Sequence, residues 1–238
     1  MADLLKIIER RHSSRVLFDP QRKISKASIR KLLEAARWAP TAHNMQNFEI
    51  VLVDDKKLLK MISEIENPVS LTFVRENYRQ LSFSVAELRR RKTGVLGTMF
   101  PPAWRNPHAT AKEIRNADRG EFQERQISSS AALGIVLYDP KRRAPASAND
   151  FLGAISLGCM MENMWLMAES LGIGFHVVSA LSAPGMEKEI QRMLRIPRRL
   201  RIAFSFRLGY PASSVEVRAA EYVRIRRDVK DFTHYNIY

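Results

Sequence analysis

A single domain mixing helices with short strands, built around one long apolar helix, is the architecture that the sequence predicts. The first observation is the stretch Asp150–Leu181, DFLGAISLGCMMENMWLMAESLGIGFHVVSAL. Leu152, Ile155, Cys159, Met160, Met164, Met167 and Leu171 recur there at three- and four-residue intervals, and Leu157, Met161, Trp165 and Leu166 cover most of the remaining circumference. A helix running to Leu171 spans ~33 Å and suits only the centre of a core or a large subunit interface. Gly172 stops it, as a residue that can take positive φ. The second observation is four apolar runs, Phe48–Val53, Ala131–Tyr138, Phe175–Leu181 and Arg201–Leu208, that read as strands or extended segments. The third is that no Pro/Gly/Ser-rich linker divides the 238 residues, so 1–238 is read as one domain.

Composition narrows the setting. Glu162, Asn163 and Glu169 interrupt the apolar run, and a charge at mid-bilayer costs several kcal/mol, so no membrane span is expected. The one cysteine, Cys159, reads as a small buried hydrophobe and permits no intrachain disulfide, which points to a reducing compartment. Leu4, Leu5, Ile7 and Ile8 make an amphipathic turn rather than a signal peptide, so the chain is expected in the cytoplasm.

Taken in order, Asp3 caps a first helix through about Arg11, with Leu4, Ile7 and Ile8 on its buried side. Arg11-His12-Ser13-Ser14-Arg15 then sets three kinds of donor side chain within five residues. Arginine forks suit phosphate oxygens and serine adds a neutral donor, although the run taken alone reads first as a solvated turn. Ser25 caps a second helix, Lys26–Trp38, with Ile29, Leu32, Leu33 and Ala36 in one stripe, and Pro40 ends it. Ala39–Asn47 follows, short side chains and amides. There Ala42 would let a flat ring approach the backbone, and Asn44 and Gln46 both donate and accept, as a heteroaromatic edge requires. His43, a lone loop histidine, reads as a hydrogen-bonding or packing residue before a catalytic acid.

Helices are expected over Asp54–Ile65 and Val69–Lys92, and a loop over Thr93–Asn106, where Phe100 and Trp104 suit a lid, a substrate wall or a plain hydrophobic anchor. Helical propensity returns at Ala109–Asp118, and Lys141–Ala148 connects into the central helix. A further helix is expected at Gly185–Leu194. The tail, 213–238, has too many aromatics to hang free and is read as lying on another surface.

The formal charge of +14 gathers at Arg89–Lys92, at Arg192, Arg195, Arg198, Arg199 and Arg201, and over Arg218–Lys230. No zinc-ligand spacing, RNA-recognition aromatic pair or helix-turn-helix signal accompanies these clusters, so nucleic acid is disfavoured and solvated faces attractive to anionic cofactors are the expected meaning. No metal site is expected, and Gly172-Ile173-Gly174 is too short for a dinucleotide fingerprint.

RRHSSR, EAARWAPTAHNMQ, NMWLMAESLGIG and LGYPA occur in one order and spacing over nearly the whole chain. In that combination the sequence resembles the FMN-dependent nitroreductases. The resemblance implies an α+β homodimer with a small, mostly antiparallel sheet, a long central helix at the interface and a C-terminal segment, 213–238, reaching around the partner. It implies that Arg11, His12, Ser13 and Arg15, joined by Arg226, hold the flavin phosphate and ribityl chain. Pro40, Thr41, Ala42, His43 and Asn44 would line the ring, with Asn44 reaching from the other subunit. Ser179 and Ala180 would fall at flavin N5, the hydroxyl of Ser179 being the candidate catalytic contact. NADH or NADPH would deliver hydride to N5 and leave, and a nitroaromatic, quinone or related conjugated substrate would use the same face, a ping-pong scheme. Two departures stand out. The usual NxQPW is Asn44-Met45-Gln46-Asn47-Phe48 here, and the lid region, 66–120, matches no assignable pattern. A branch with other flavin chemistry (oxygen-dependent flavin breakdown or reductive dehalogenation) and a non-catalytic basic flavin- or nucleic-acid-binding protein stay open as alternatives.

Overall fold

The structure is a computed structural model that describes residues 3–65, 71–78, 82–96, 101–117, 126–145, 150–212 and 225–236. Phe100, residues 213–224 of the tail and part of the basic cluster beginning at Arg218 lie outside the described residues. The chain divides into two compact units, 1–67 with 123–216, and 68–122 with 217–238.

The first unit holds α1 (Leu4–Arg10), α2 (Lys26–Arg37), β1 (Glu49–Val53), α3 (Lys56–Ser63), β2 (Ala132–Tyr138), α4 (Phe151–Ser170), β3 (Gly174–Val177), α5 (Pro184–Met193) and β4 (Arg201–Gly209). The strands form one sheet in the order β1-β2-β4-β3, antiparallel at every pairing. β2 lies inside the sheet, and its alternate residues serve opposite faces. Leu133, Ile135 and Leu137 join Leu59 and Ile62 of α3 and Met186 and Ile190 of α5 in one core. Ala132 and Val136 join Leu32 and Ala36 of α2 and Met160, Met164, Trp165 and Ala168 of α4 in the other. Burial on both faces is why the strand reads as unbroken apolar sequence. Gly134 is required at its centre, because a Cβ there would sit 2.1 Å from the Phe206 ring.

Local signals place the helix ends. Asp3 accepts from the Leu5 amide, Ser25 from that of Ser28 and Asp55 from that of Leu58. At the end of α4, Gly172 takes φ 65°, its amide donates to Glu169 and that of Ile173 to Ala168, the two bonds of a Schellman cap. α5 is tied to β4 by Glu187, a buried carboxylate that takes two donors from Arg201 (2.6 and 2.8 Å) and the Ile202 amide (2.7 Å).

Within this chain α4 is buried on one face, at Met160, Met164, Trp165 and Ala168, while Phe151 is 67% exposed and Ile155 46%. The buried side expected of α1 is corrected: it buries none of its residues, and Leu4 is 63% exposed. Hydrophobic periodicity marks which positions avoid water without telling whether this chain or another covers them. α4 is long and apolar enough to cross a membrane by length and composition, yet Glu169 and Glu162 along it form ion pairs with Arg10 and Arg11, which a bilayer core does not accommodate.

In the second unit the single helix expected over Val69–Lys92 is broken. Leu71–Phe73 and a π-helical turn, Val74–Tyr78, precede a short strand, Ser82–Phe83, and a new helix starts at Val85 because Ser84 and Glu87 form a capping box. The expected loop at Thr93–Asn106 contains a strand, Val95–Leu96, parallel to Ser82–Phe83, and the turn of helix Pro102–Arg105. Trp104 donates from its indole to Ile114 O (3.3 Å), within a small core of Val74, Ala109 and Ile114. In the described part of the tail, Lys92 of the same chain pairs with Asp228 and, at 3.3 Å, with Asp231.

Candidate functional site

Past α1 the backbone is irregular, with a tight turn in which the Arg15 amide donates to Ser13 O (3.0 Å), and burial alternates. Ser14, Val16 and Phe18 are buried, while Arg15 is exposed and Ser13 half-buried. The segment lies beside the sheet: the Ser14 amide donates to Phe175 O (2.9 Å), that of Ala212 to Leu17 O (3.0 Å), and Phe18 bridges to Pro211. The Trp165 indole donates to His12 O (3.0 Å). The Arg11 guanidinium stacks over the same indole, 4.6 Å from its centroid. Arg11 Nε stands 3.3 Å from Glu162 Oε1 as an ion pair, yet it is buried and makes no hydrogen bond. A buried N–H without a hydrogen bond costs roughly 1–3 kcal/mol, part of which the neighbouring Glu162 carboxylate offsets.

The inner side of the segment is held by Arg207 of β4, which is fully buried. Its guanidinium donates to Ser14 O (3.0 Å), to Val16 O, to Gln126 O (2.9 Å) and to Nδ1 of His176 (3.0 Å), the residue opposite it on β3. Buried Gln126 in turn donates to Arg15 O (2.9 Å). Because Nδ1 accepts, the imidazole is the neutral tautomer with its proton on Nε2. Burial first, then the charges of Arg207 and Arg15, hold the His176 pKa down to about 3.

That depression has a measurable consequence. An unfolded histidine titrates near 6.5, so the contribution of neutral His176 to stability is fully present above about pH 6.5 and is lost as pH falls towards 3. The loss is about 1.4 kcal/mol per pH unit, or about 2 kcal/mol at pH 5. Urea unfolding at pH 7.5 and pH 5 is expected to show this difference in the parent and not in His176→Gln. Equal pH dependence in the two proteins would disprove it.

The second loop takes its anchors elsewhere on α4. The Ala42 amide donates to Ser156 Oγ (3.0 Å), which donates to Leu152 O (2.8 Å). His43, Asn44 and Gln46 all have positive φ (50°, 51° and 46°), a cost of order 1 kcal/mol or more each, offset by Thr41 Oγ1 accepting from the Gln46 amide and by the Gln46–Asn44 side-chain bond. Pro40, His43 and Asn44 are exposed; Thr41 and Ala42 are half-buried. Asn47, which departs from the expected pattern, ties the loop to the chain just past β2, since its amide nitrogen donates to Asp139 O and Arg142 O and its oxygen accepts from the Asp139 amide. Ser156 and Trp165 are nine residues apart, which puts the two loops about half a turn apart around the helix.

Ser179 and Ala180 begin a 3-10 turn, Ser179–Ser182, directly after β3, where the sequence expects a strand or extended segment to run on to Leu181. The leading amides of such a turn have no acceptor within it. Ser179 is exposed, and its carbonyl accepts from Ser182 Oγ (2.7 Å). β3 thus carries Phe175, whose carbonyl accepts from the Ser14 amide, and leads four residues further on to Ser179. Arg226 belongs to the second unit, is exposed, and donates to Ile225 O (2.8 Å).

The model of the nitroreductase family matches residues 8–210. The chain belongs to the nitroreductase family. A curated relative from Archaeoglobus fulgidus, provisionally named as an NADH dehydrogenase/NAD(P)H nitroreductase, is 44% identical over 212 residues, 89% of this chain and 87% of its own. Among solved structures, a provisionally named nitroreductase from Desulfovibrio desulfuricans in complex with FMN superposes with a TM-score of 0.59 at 15% identity, over 100% of this chain and 99% of that one. The NADPH:FMN oxidoreductase of Vibrio harveyi, complexed with NAD+, gives 0.60 at 16% identity over 99% and 77%. At these identities the two structures establish the nitroreductase fold, an α+β architecture, and no more.

Reading this nitroreductase from sequence misses Arg207, His176 and Gln126. One signal was available: Arg207 interrupts the apolar strand Arg201–Gly209 between Phe206 and Leu208, and an arginine inside a buried strand needs several acceptors. Nothing local marks Gln126 or Ser156 for the loops they hold, since Arg15 and Ala42 lie more than a hundred residues away from them in the chain.

Proposed function

We propose that this nitroreductase-family chain is an FMN-dependent oxidoreductase. It draws on NADH or NADPH, acts on nitroaromatic, quinone or related small conjugated substrates by a ping-pong cycle, and works as a homodimer. The observation that carries the reading is the Arg11 guanidinium, stacked on Trp165, in one short run with Ser13 and Arg15 whose backbone is pinned from behind by Arg207. Guanidinium and hydroxyl donors fit a phosphate monoester, so the residues present suit FMN at its anionic end. FMN, when bound, supplies the capacity to take up a hydride and to pass reducing equivalents on. The chain's own part is to hold and to orient. Arg11, His12, Ser13 and Arg15 would bind the phosphate and ribityl chain; the amides opening the 179–180 turn, and the Ser179 hydroxyl, would be offered to the N5 edge.

Support for the dimer comes from coverage and phase. α1 and the uncovered face of α4 present Leu4, Leu5, Ile8, Phe151 and Ile155 to solvent, a surface suited to a partner. The loop carrying Pro40, Thr41, Ala42, His43 and Asn44 sits half a turn round α4 from Arg11, so a second copy is the natural source of that loop at each flavin ring. The single cysteine supports a reducing, cytoplasmic setting.

The test is the purified protein itself. It is expected to carry or bind FMN, to be bleached anaerobically by NADH or NADPH, and to sediment at twice the mass of one chain. Failure to bind FMN at micromolar concentration would remove the enzymatic reading.

A further inference from the structure

We propose that Arg207, held by His176, is the positioning residue that shapes the Arg11–Arg15 segment and so makes the site select a phosphorylated flavin over an unphosphorylated one; this rests on the flavin reading above. Arg207 touches the backbone of the segment and none of its side chains in the bonds described: it takes the carbonyls of Ser14 and Val16, two residues apart. Between them the chain turns tightly, the Arg15 amide donating to Ser13 O (3.0 Å), and with Ser14 and Val16 held inward and buried, Arg15 is left exposed on the outside of the turn. Gln126 closes the intervening carbonyl, that of Arg15, and also accepts from Arg207, so three successive carbonyls answer to one guanidinium and one amide. His176 fixes the fork from the opposite strand by accepting at Nδ1 from Arg207 Nε. An element that only filled the core would need no such set of directed bonds to one segment.

The prediction concerns a ratio. Binding of FMN and of riboflavin to the apo-protein is measured by flavin fluorescence quenching, in the parent and in Arg207→Lys, with circular dichroism as the check on folding. Lysine keeps the charge and loses the fork, so the preference for FMN over riboflavin is expected to fall about tenfold or more, while riboflavin affinity stays within about threefold. An unchanged ratio, or an equal loss of both flavins, overturns the proposal. Should Arg207→Lys not fold, His176→Gln and His176→Leu decide: the glutamine oxygen still accepts from Arg207 and is expected to keep the preference, and leucine to lose it. Retention of the preference in both overturns the proposal. A parent that binds both flavins equally would instead remove the phosphate reading of the segment, and this inference with it.

Discussion

Met164→Glu is expected to leave no folded protein. Met164 is 1% exposed, on the covered face of α4 among Met160, Trp165 and Ala168, and the adjacent Trp165 stacks at 5.2 Å on Phe175, itself 4.8 Å from Phe206. Truncating a buried methionine costs about 2–5 kcal/mol by itself. A carboxylate placed there adds a desolvation cost of several kcal/mol. Against a net stability of about 5–15 kcal/mol, the sum removes most or all of the margin. Expression of the variant should yield insoluble chain, or a soluble fraction without a cooperative melt. A protein melting within a few degrees of the parent would show that this face of α4 is not the core described. Phe151→Glu, on the uncovered face, separates the two roles of the helix: it should spare the fold of the single chain and weaken dimerisation.

What sequence conveys about this fold divides along a physical line. Features set by a few consecutive residues are legible: the caps at Asp3 and Ser25, the stop at Gly172 and the apolar strand at 132–138, though not which of its faces meets which helices. The break at Ser84 was equally local, since its capping box is visible in sequence, but the basic amphipathic run around it reads as one helix. Coverage is a different matter. Phe151 and Ile155 have the composition of core, and the sequence leaves open whether a core or a subunit interface covers them; in this chain both are exposed. The site is legible as residue types, arginines with serines and then amides. It is not legible as geometry, because Arg207 meets Ser14 across 193 residues and Ala42 meets Ser156 across 114.

Arg11→Ala is expected to weaken FMN binding about ten- to a hundredfold. A charge-assisted hydrogen bond is worth roughly 1.5–3 kcal/mol, and each 1.4 kcal/mol is tenfold in affinity. The donor is preorganised, since the guanidinium is already stacked on Trp165 and paired with Glu162, so little side-chain entropy remains to be lost on binding. Part of the effect belongs to Glu162. Removing Arg11 leaves that carboxylate unbalanced beside an incoming phosphate, and like-charge repulsion then adds to the lost bonds. A double-mutant cycle with Glu162→Gln separates the two: the double variant should recover part of the affinity lost in Arg11→Ala, and Glu162→Gln alone should bind FMN at least as well as the parent. Arg15→Ala should weaken FMN with no such recovery. An FMN dissociation constant for Arg11→Ala within about threefold of the parent, measured at high salt where screened contacts contribute least, would place the phosphate elsewhere.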